Sequence, residues 1–88
     1  MHSIQKLEQI EKRFDELTRQ LAETSDAEDY RKIAKARSEL EEQVYKFREW
    51  KRVQSELRQA RELLGEDDPD LRAMAQEEVA RLEPEAER

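Results

Sequence analysis

The chain has 88 residues, of which 45% are charged and 35% hydrophobic, and its formal net charge is −6. This length allows one small domain, and so low an apolar content excludes a wide globular core. The absence of cysteine excludes a disulfide framework and thiolate chemistry. No run of about 18 apolar residues is present, so the sequence offers no membrane-spanning segment. One glycine and two prolines favour long uninterrupted helices.

Apolar residues at the start of the chain repeat at the spacing of one helical face. They are Ile4, Leu7, Ile10, Phe14, Leu17 and Leu21, separated by steps of three and four. Ser3 precedes the first of them and is expected to cap the helix by accepting a backbone N–H bond. The pattern predicts a first helix over residues 3–23.

The acidic stretch from Glu23 to Asp29 interrupts this pattern. Ser25 and Glu28 have the spacing of a capping box, in which each side chain accepts the other residue's exposed backbone N–H. A second helix is therefore predicted beside this turn, over residues 26–64. Gly65 follows it, in the position where a left-handed C-cap is expected.

The predicted second helix is long, and its apolar face changes direction. The apolar row comprises Ile33, Leu40, Val44, Phe47, Trp50, Val53, Leu57, Ala60 and Leu64. Arg37 occupies a position in this row and interrupts it. Because Phe47, Trp50 and Val53 follow one another at steps of three, the apolar face drifts around the helix there. The first part of the helix is therefore expected to pack on helix 1 and the later part on helix 3.

Asp68 and Pro69 mark the start of a third helix, with Asp68 as N-cap and Pro69 at the first helical position. The apolar row of this helix is Leu71, Met74, Ala75, Val79 and Leu82. Pro84 is expected to disturb it, so its predicted span is 68–83. The predicted fold is all-α, an elongated three-helix antiparallel coiled-coil-like bundle with one long central helix, forming a single helical domain over residues 1–88.

The residue inventory does not support catalysis. The only histidine, His2, lies at a terminus, and the chain contains no glycine-rich phosphate loop and no nucleophile–base pair. The acidic run from Glu66 to Asp70 lacks the ligand spacing and internal glycine of a helix-loop-helix calcium site, so helix capping explains it better. We therefore expect no enzyme activity, no metal and no cofactor.

Charge is distributed unevenly, and this asymmetry points to an interaction surface. Residues 30–64 carry ten bases and six acids, a local +4, whereas residues 65–88 carry nine acids and three bases, a local −6. Residues 45–52 interleave three aromatics with four bases, a mixture that can stack on nucleobases and neutralise phosphates. Exposed helix charges often only solvate a surface. The bases are nevertheless the predicted contacts for RNA or an acidic partner: Lys46, Arg48, Lys51 and Arg52.

Phe47 and Trp50 of the same segment are expected in the core, with Tyr45 at its edge. Their spacing is that of a buried helix face, so the bases are the better candidates for outside contacts.

Three stretches of the chain form a pattern of a known kind. They are Asp29-Tyr30-Arg31-Lys32-Ile33, then Trp50-Lys51 with Leu57, then Ala60-Arg61-Glu62-Leu63-Leu64. The most specific run follows them: Asp67-Asp68-Pro69-Asp70-Leu71-Arg72-Ala73-Met74-Ala75-Gln76-Glu77-Glu78. This pattern resembles domain 1 of the class-I bacterial peptide chain release factors, and is similar to the release factor 1 type rather than the release factor 2 type.

The resemblance implies a cytoplasmic, non-catalytic ribosome-docking module that acts in stop-codon-dependent translation termination. In that family, domain 1 projects toward the stalk base of the large ribosomal subunit and the neighbourhood of the class-II release factor GTPase. Both are therefore implied partners. The family's codon-reading Pro-any-Thr tripeptide and its Gly-Gly-Gln loop do not occur in these 88 residues, so the chain is expected to be a fragment of a longer one.

Two other functions are compatible with the pattern. A stand-alone coiled-coil adaptor would self-associate or bind a partner helix through its apolar rows. Self-association is also expected of an isolated domain whose apolar rows are exposed. An RNA-gripping helical arm, as in seryl-tRNA synthetase, fits less well because the third helix is acidic.

Overall fold

The computed structural model describes residues 3–87, and His2 lies outside this range. Three helices make up almost all of the described chain: α1 (Ile4–Glu23), α2 (Ala27–Leu63) and α3 (Pro69–Ala86). The predicted all-α class, with three helices and one long central helix, is confirmed. None of these helices is both long enough and apolar enough to cross a membrane.

The chain forms two compact units, one ending at Phe47 and the other beginning at Arg48. α2 contributes to both units, since its 37 residues run continuously through this boundary. The first unit pairs α1 with the first part of α2, and the second pairs the rest of α2 with α3. The prediction that the first part of α2 packs on α1 and the later part on α3 is therefore confirmed.

α1 begins and packs as its sequence predicts. Ser3 is the N-cap, and its side chain accepts a hydrogen bond from the Lys6 backbone N–H at 3.4 Å. Phe14 and Leu17 are buried on the inner face of α1. Val44 and Phe47 of α2 are buried in the same unit. The core of the first unit therefore comprises residues from the middle of α1 and residues of α2 close to the end of the unit.

Asp26, rather than Ser25, caps the start of α2. A carboxylate oxygen of Asp26 accepts the Asp29 backbone N–H at 3.1 Å, and its carbonyl accepts the Tyr30 N–H at 2.9 Å. The predicted capping box of Ser25 and Glu28 is therefore wrong by one residue. A serine and an aspartate can both accept these bonds, but a carboxylate also interacts favourably with the positive end of the helix dipole.

The second unit has its own core between α2 and α3. Val53 and Leu57 of α2 pack with Leu82 of α3, and Val79 and Ala86 pack against this cluster. Leu82 has no exposed surface, and it is the most deeply buried side chain of α3. This core holds the later part of α2 and the whole of α3 as one helical pair.

α3 starts as predicted but ends later. Asp68 is its N-cap and accepts the Asp70 backbone N–H at 2.9 Å, and Pro69 is the first helical residue. Pro84 lies inside the last turn, and the helix continues to Ala86. A proline lacks a backbone N–H, so Pro84 removes one helical hydrogen bond. Only two helical residues follow it, so the helix ends shortly after the proline.

The turn between α2 and α3 does not use the left-handed cap predicted at Gly65. The backbone φ of Gly65 is not positive. Instead α2 tightens at its end, where the N–H groups of Leu64, Gly65 and Glu66 each donate to the carbonyl three residues earlier, at 3.1–3.2 Å. These short-range bonds satisfy the terminal carbonyls that a left-handed cap would otherwise bond.

Arg72 holds the same turn from α3. Its guanidinium donates to the backbone carbonyls of Glu66 and Asp67, each at 2.8 Å. The turn is therefore stabilised by a side chain from the following helix, so it does not need a positive φ at Gly65.

Candidate functional site

The four bases predicted as contact residues are divided between the two units. Lys46 belongs to the first unit, and Arg48, Lys51 and Arg52 belong to the second. Within the second unit, steps of three and four place Arg48 beside Lys51 and Arg52 on the helix surface. Lys46, Lys51 and Arg52 are exposed, whereas Arg48 is half-buried.

Arg52 is the most strongly engaged of these bases. It donates to the carboxylate of Glu49, one turn earlier, and to that of Glu56, one turn later, at 2.6 Å. These hydrogen bonds lower the pKa of Glu49 and raise that of Arg52. Arg52 stays positively charged, but it would have to share or release one of these carboxylates to bind a phosphate.

The other three bases differ in their availability. Arg48 and Lys51 already interact with other groups of the protein. Lys46 is exposed and makes no ion pair within residues 3–87. Of the four predicted residues, Lys46 is therefore the most accessible cation.

The aromatic side chains of this segment are divided between core and surface. Phe47 is buried, as predicted, and Trp50 is partly buried. Tyr45 is half exposed and meets the ring of Phe14 edge to face, with centroids 5.9 Å apart and an interplanar angle of 77°. The aromatics therefore support the helix packing and leave at most the Tyr45 ring available for stacking on a ligand.

A second basic surface in the second unit was missed by the sequence analysis. Gln54, Arg58, Arg61 and Glu62 line a depression of about 480 Å³ along α2. Arg61 pairs with Glu83 of α3 at 3.2 Å, whereas Arg58 makes no ion pair within the described range. The spacing of Arg58 and Arg61 by three residues was visible in the sequence, but they lack the flanking aromatics that drew attention to residues 45–52.

Carboxylates in the described range do not assemble into a metal site. Among residues 3–87 there is no group of three or more aspartate, glutamate, histidine or cysteine side chains placed to hold a metal ion. Several of the acids instead pair with arginines: Arg81, for example, pairs with Glu78 and lies 3.7 Å from Glu56.

Comparison with known proteins assigns the chain to a family. The PCRF domain matches residues 10–88, which is most of the chain. The chain therefore belongs to the PCRF domain family.

Several of the relatives that it matches are named peptide chain release factor 1. The protein of that name from Acidobacterium capsulatum is 46% identical over 82 residues, covering 90% of this chain and 23% of the relative. Those from Anaeromyxobacter dehalogenans and Oleidesulfovibrio alaskensis are 39% and 41% identical, covering 96% and 89% of this chain. The predicted resemblance to release factor 1 is confirmed.

The chain spans about a quarter of the length of these relatives. No solved structure matches it.

Proposed function

We propose that the chain is the amino-terminal helical domain of a release factor 1 and acts in stop-codon-dependent translation termination. The observation that carries this proposal is the match of the PCRF domain to residues 10–88, together with release factor 1 relatives that align over 90% of the chain. In this role the domain docks the factor on the ribosome in the cytoplasm and supplies no catalytic group. Peptide release belongs to a Gly-Gly-Gln loop that these 88 residues do not contain.

The packing of helices within each unit is consistent with a docking role. Each unit is a helical pair with its own buried core, and the charged side chains stand on helices rather than on loops. A surface on packed helices can meet a large partner without first becoming ordered, so it binds at a lower entropic cost. This is the property that a domain with a positional role requires.

Lys46, Arg48, Lys51 and Arg52 are the proposed ribosome contacts, and the stalk base of the large subunit is the proposed partner. The class-II release factor GTPase is a second proposed partner, because the family places this domain near it. Among the four bases, Lys46 should contribute most and Arg52 least, since Glu49 and Glu56 already pair with Arg52.

The coiled-coil adaptor that the sequence left open is not favoured. Generic amphipathic helices would not be expected to match release factor 1 along nearly the whole chain.

Equilibrium binding of the fluorescently labelled chain to purified ribosomal subunits tests the proposal. We expect binding to large subunits and much weaker binding to small subunits, with an affinity that falls as salt rises. Lys46→Glu should weaken binding more than Arg52→Glu, and Lys6→Glu is the matched control on α1. Equal binding to both subunits, or none to either, would contradict the docking role.

A further inference from the structure

The second unit carries an apolar groove between α2 and α3 that its own side chains leave open. Ala60 and Ala75 lie at its base, 3% and 2% exposed, and the cavity measures about 410 Å³. Leu63 and Met74 line its edge, and they are 41% and 65% exposed. Three polar side chains complete the lining: Glu56, Gln59 and Glu78. Met74 was predicted to belong to the apolar face of α3 that packs against α2. Its exposure corrects that prediction, because the apolar face is wider than the part of it that α2 covers.

Acidic side chains surround Met74 on its own helix. Asp70 stands four residues before it, and Glu77 and Glu78 stand three and four residues after it, so all three adjoin it on the helix surface. Glu78 pairs with Arg81. The other carboxylate that lines the groove, Glu56, pairs with Arg52. Asp70 and Glu77 do not line the groove, but they are exposed and form no ion pair with any residue in the described range. They therefore add two uncompensated negative charges next to Met74.

We propose that this groove binds a basic amphipathic helix of a partner protein. The partner's apolar side chains would enter the groove beside Leu63 and Met74, and its lysines or arginines would meet Asp70 and Glu77. A helix laid in an apolar groove is a common recognition mode, and an exposed methionine adapts its shape to the side chains that it meets. The negative charges then select a partner of positive sign.

The same charges argue against two other occupants. RNA would bring its phosphates against Asp70 and Glu77, so it is repelled at this surface. A second copy of the chain in a symmetric dimer would place the groove of one copy against the groove of the other, with acids facing acids. A basic protein segment meets neither obstacle.

This inference rests on the proposed docking function and deepens it by naming the class of partner at one surface. The basic residues of α2 would meet the ribosome elsewhere, whereas the acidic groove of the second unit would meet a basic protein. Lys46 and Lys51 lie outside the groove lining and Met74 belongs to it, so substitutions at these positions test the two contacts separately.

Nuclear magnetic resonance titration of the ¹⁵N-labelled chain tests the proposal with a designed peptide. The probe is a helical peptide of about 18 residues with leucine on one face and lysine on the other. Its matched control has the same leucines and glutamate in place of lysine. We expect the lysine peptide to shift the amides of Ala60, Leu63, Met74 and Ala75 and the glutamate peptide to leave them unchanged.

Substitutions then separate a specific site from general charge attraction. Met74→Gln should weaken binding of the lysine peptide about tenfold, equivalent to about 1.4 kcal/mol, because it removes an apolar contact at an exposed position. Ile4→Gln is the matched control, since Ile4 is a similarly exposed apolar side chain in the first unit. Asp70→Asn combined with Glu77→Gln should reduce the salt dependence of binding.

Three results would overturn the proposal. They are unchanged affinity in Met74→Gln, amide shifts confined to the first unit, and a dimer in sedimentation that Met74→Gln dissociates, which would make a second copy the occupant. If the chain binds large ribosomal subunits but not the lysine peptide, the docking function survives and this inference alone fails.

Discussion

The guanidinium carbon of Arg37 lies 4.2 Å from the centroid of the Phe14 ring, in the pair formed by α1 and the first part of α2. The Arg37 Nε donates to the Thr18 hydroxyl at 2.7 Å, and an Nη lies 3.4 Å from a Glu41 carboxylate oxygen. An arginine in an apolar row is thus provided with a ring face, a hydroxyl and a carboxylate. What looks like an interruption in the sequence is a satisfied polar contact between two helices.

Arg37→Met should destabilise the chain by about 1–2 kcal/mol, because it keeps the aliphatic stem but loses the cation–π contact and the bond to Thr18. Urea unfolding followed by circular dichroism measures this change. Arg19→Met is the matched control, since Arg19 is exposed and pairs only with Glu23 of its own helix. A loss no larger than that of the control would show that the Arg37 contacts contribute nothing.

Combining Arg37→Met with Thr18→Val closes a double-mutant cycle. The two losses should be less than additive by about 0.5–1.5 kcal/mol, because each substitution removes the same hydrogen bond. Additive losses would mean that the 2.7 Å contact is not formed in solution.

Gly65→Ala should leave stability unchanged or raise it by about 0.4–1 kcal/mol. The backbone φ at this position is not positive, and an added Cβ would lie 3.5 Å from the Glu62 carbonyl oxygen, an ordinary contact. Alanine also restricts the unfolded chain more than glycine does. Thermal unfolding measures the difference, and a clear loss of stability would indicate the left-handed cap instead.

Leu82→Ala should cost about 2–5 kcal/mol, because it leaves a cavity in the cluster with Val53 and Leu57. Met74→Ala is the matched control on the same helix and should change stability by about 0.5 kcal/mol or less, since Met74 is mostly exposed. Comparable losses in the two variants would contradict the described packing of the second unit.

Glu49 and Glu78 should titrate below their ordinary pKa of 4.5, because Arg52 and Arg81 donate hydrogen bonds to their charged forms. A carboxyl with a lowered pKa in the folded state contributes stability above its unfolded pKa and loses it as the pH falls through the lowered value. Carbon-13 titration of the side chains should show Arg52→Gln moving the Glu49 pKa back up. Arg81→Gln should leave Glu49 unaffected and raise the pKa of Glu78.

The parts of the fold that the sequence predicts depend on neighbours close in the chain. Ser3 and Asp68 cap helices because each precedes an apolar period, and that relationship is visible in a few residues. The turns were harder to predict from the sequence. Ser25 and Asp26 are both suitable N-cap residues for α2, and only the backbone conformation determines which of them caps the helix. The left-handed cap predicted at Gly65 is wrong because Arg72, on the far side of the turn, donates hydrogen bonds to the carbonyls of Glu66 and Asp67. The turn is therefore stabilised without a positive φ at Gly65.

Some contacts could not be predicted from the sequence, either because they join residues far apart in the chain or because they depend on side-chain conformation. Thr18 is 19 residues from Arg37, so nothing local links them. The basic character of residues 45–52 was visible, but the commitment of Arg52 to Glu49 and Glu56 follows from side-chain geometry on the helix. The exposure of Met74 could be predicted only from the position of α2. Periodicity shows which residues share the apolar face of α3, but helix packing decides which of them are buried.

Competition on the ribosome tests the central claim most directly. The labelled chain is bound to ribosomes carrying a stop codon, and unlabelled complete release factor 1 from Acidobacterium capsulatum is added. If the chain docks as a release factor domain, the complete factor should displace it, because both occupy the same surface. A chain that binds and is not displaced at saturating factor, or one that does not bind, would contradict the account.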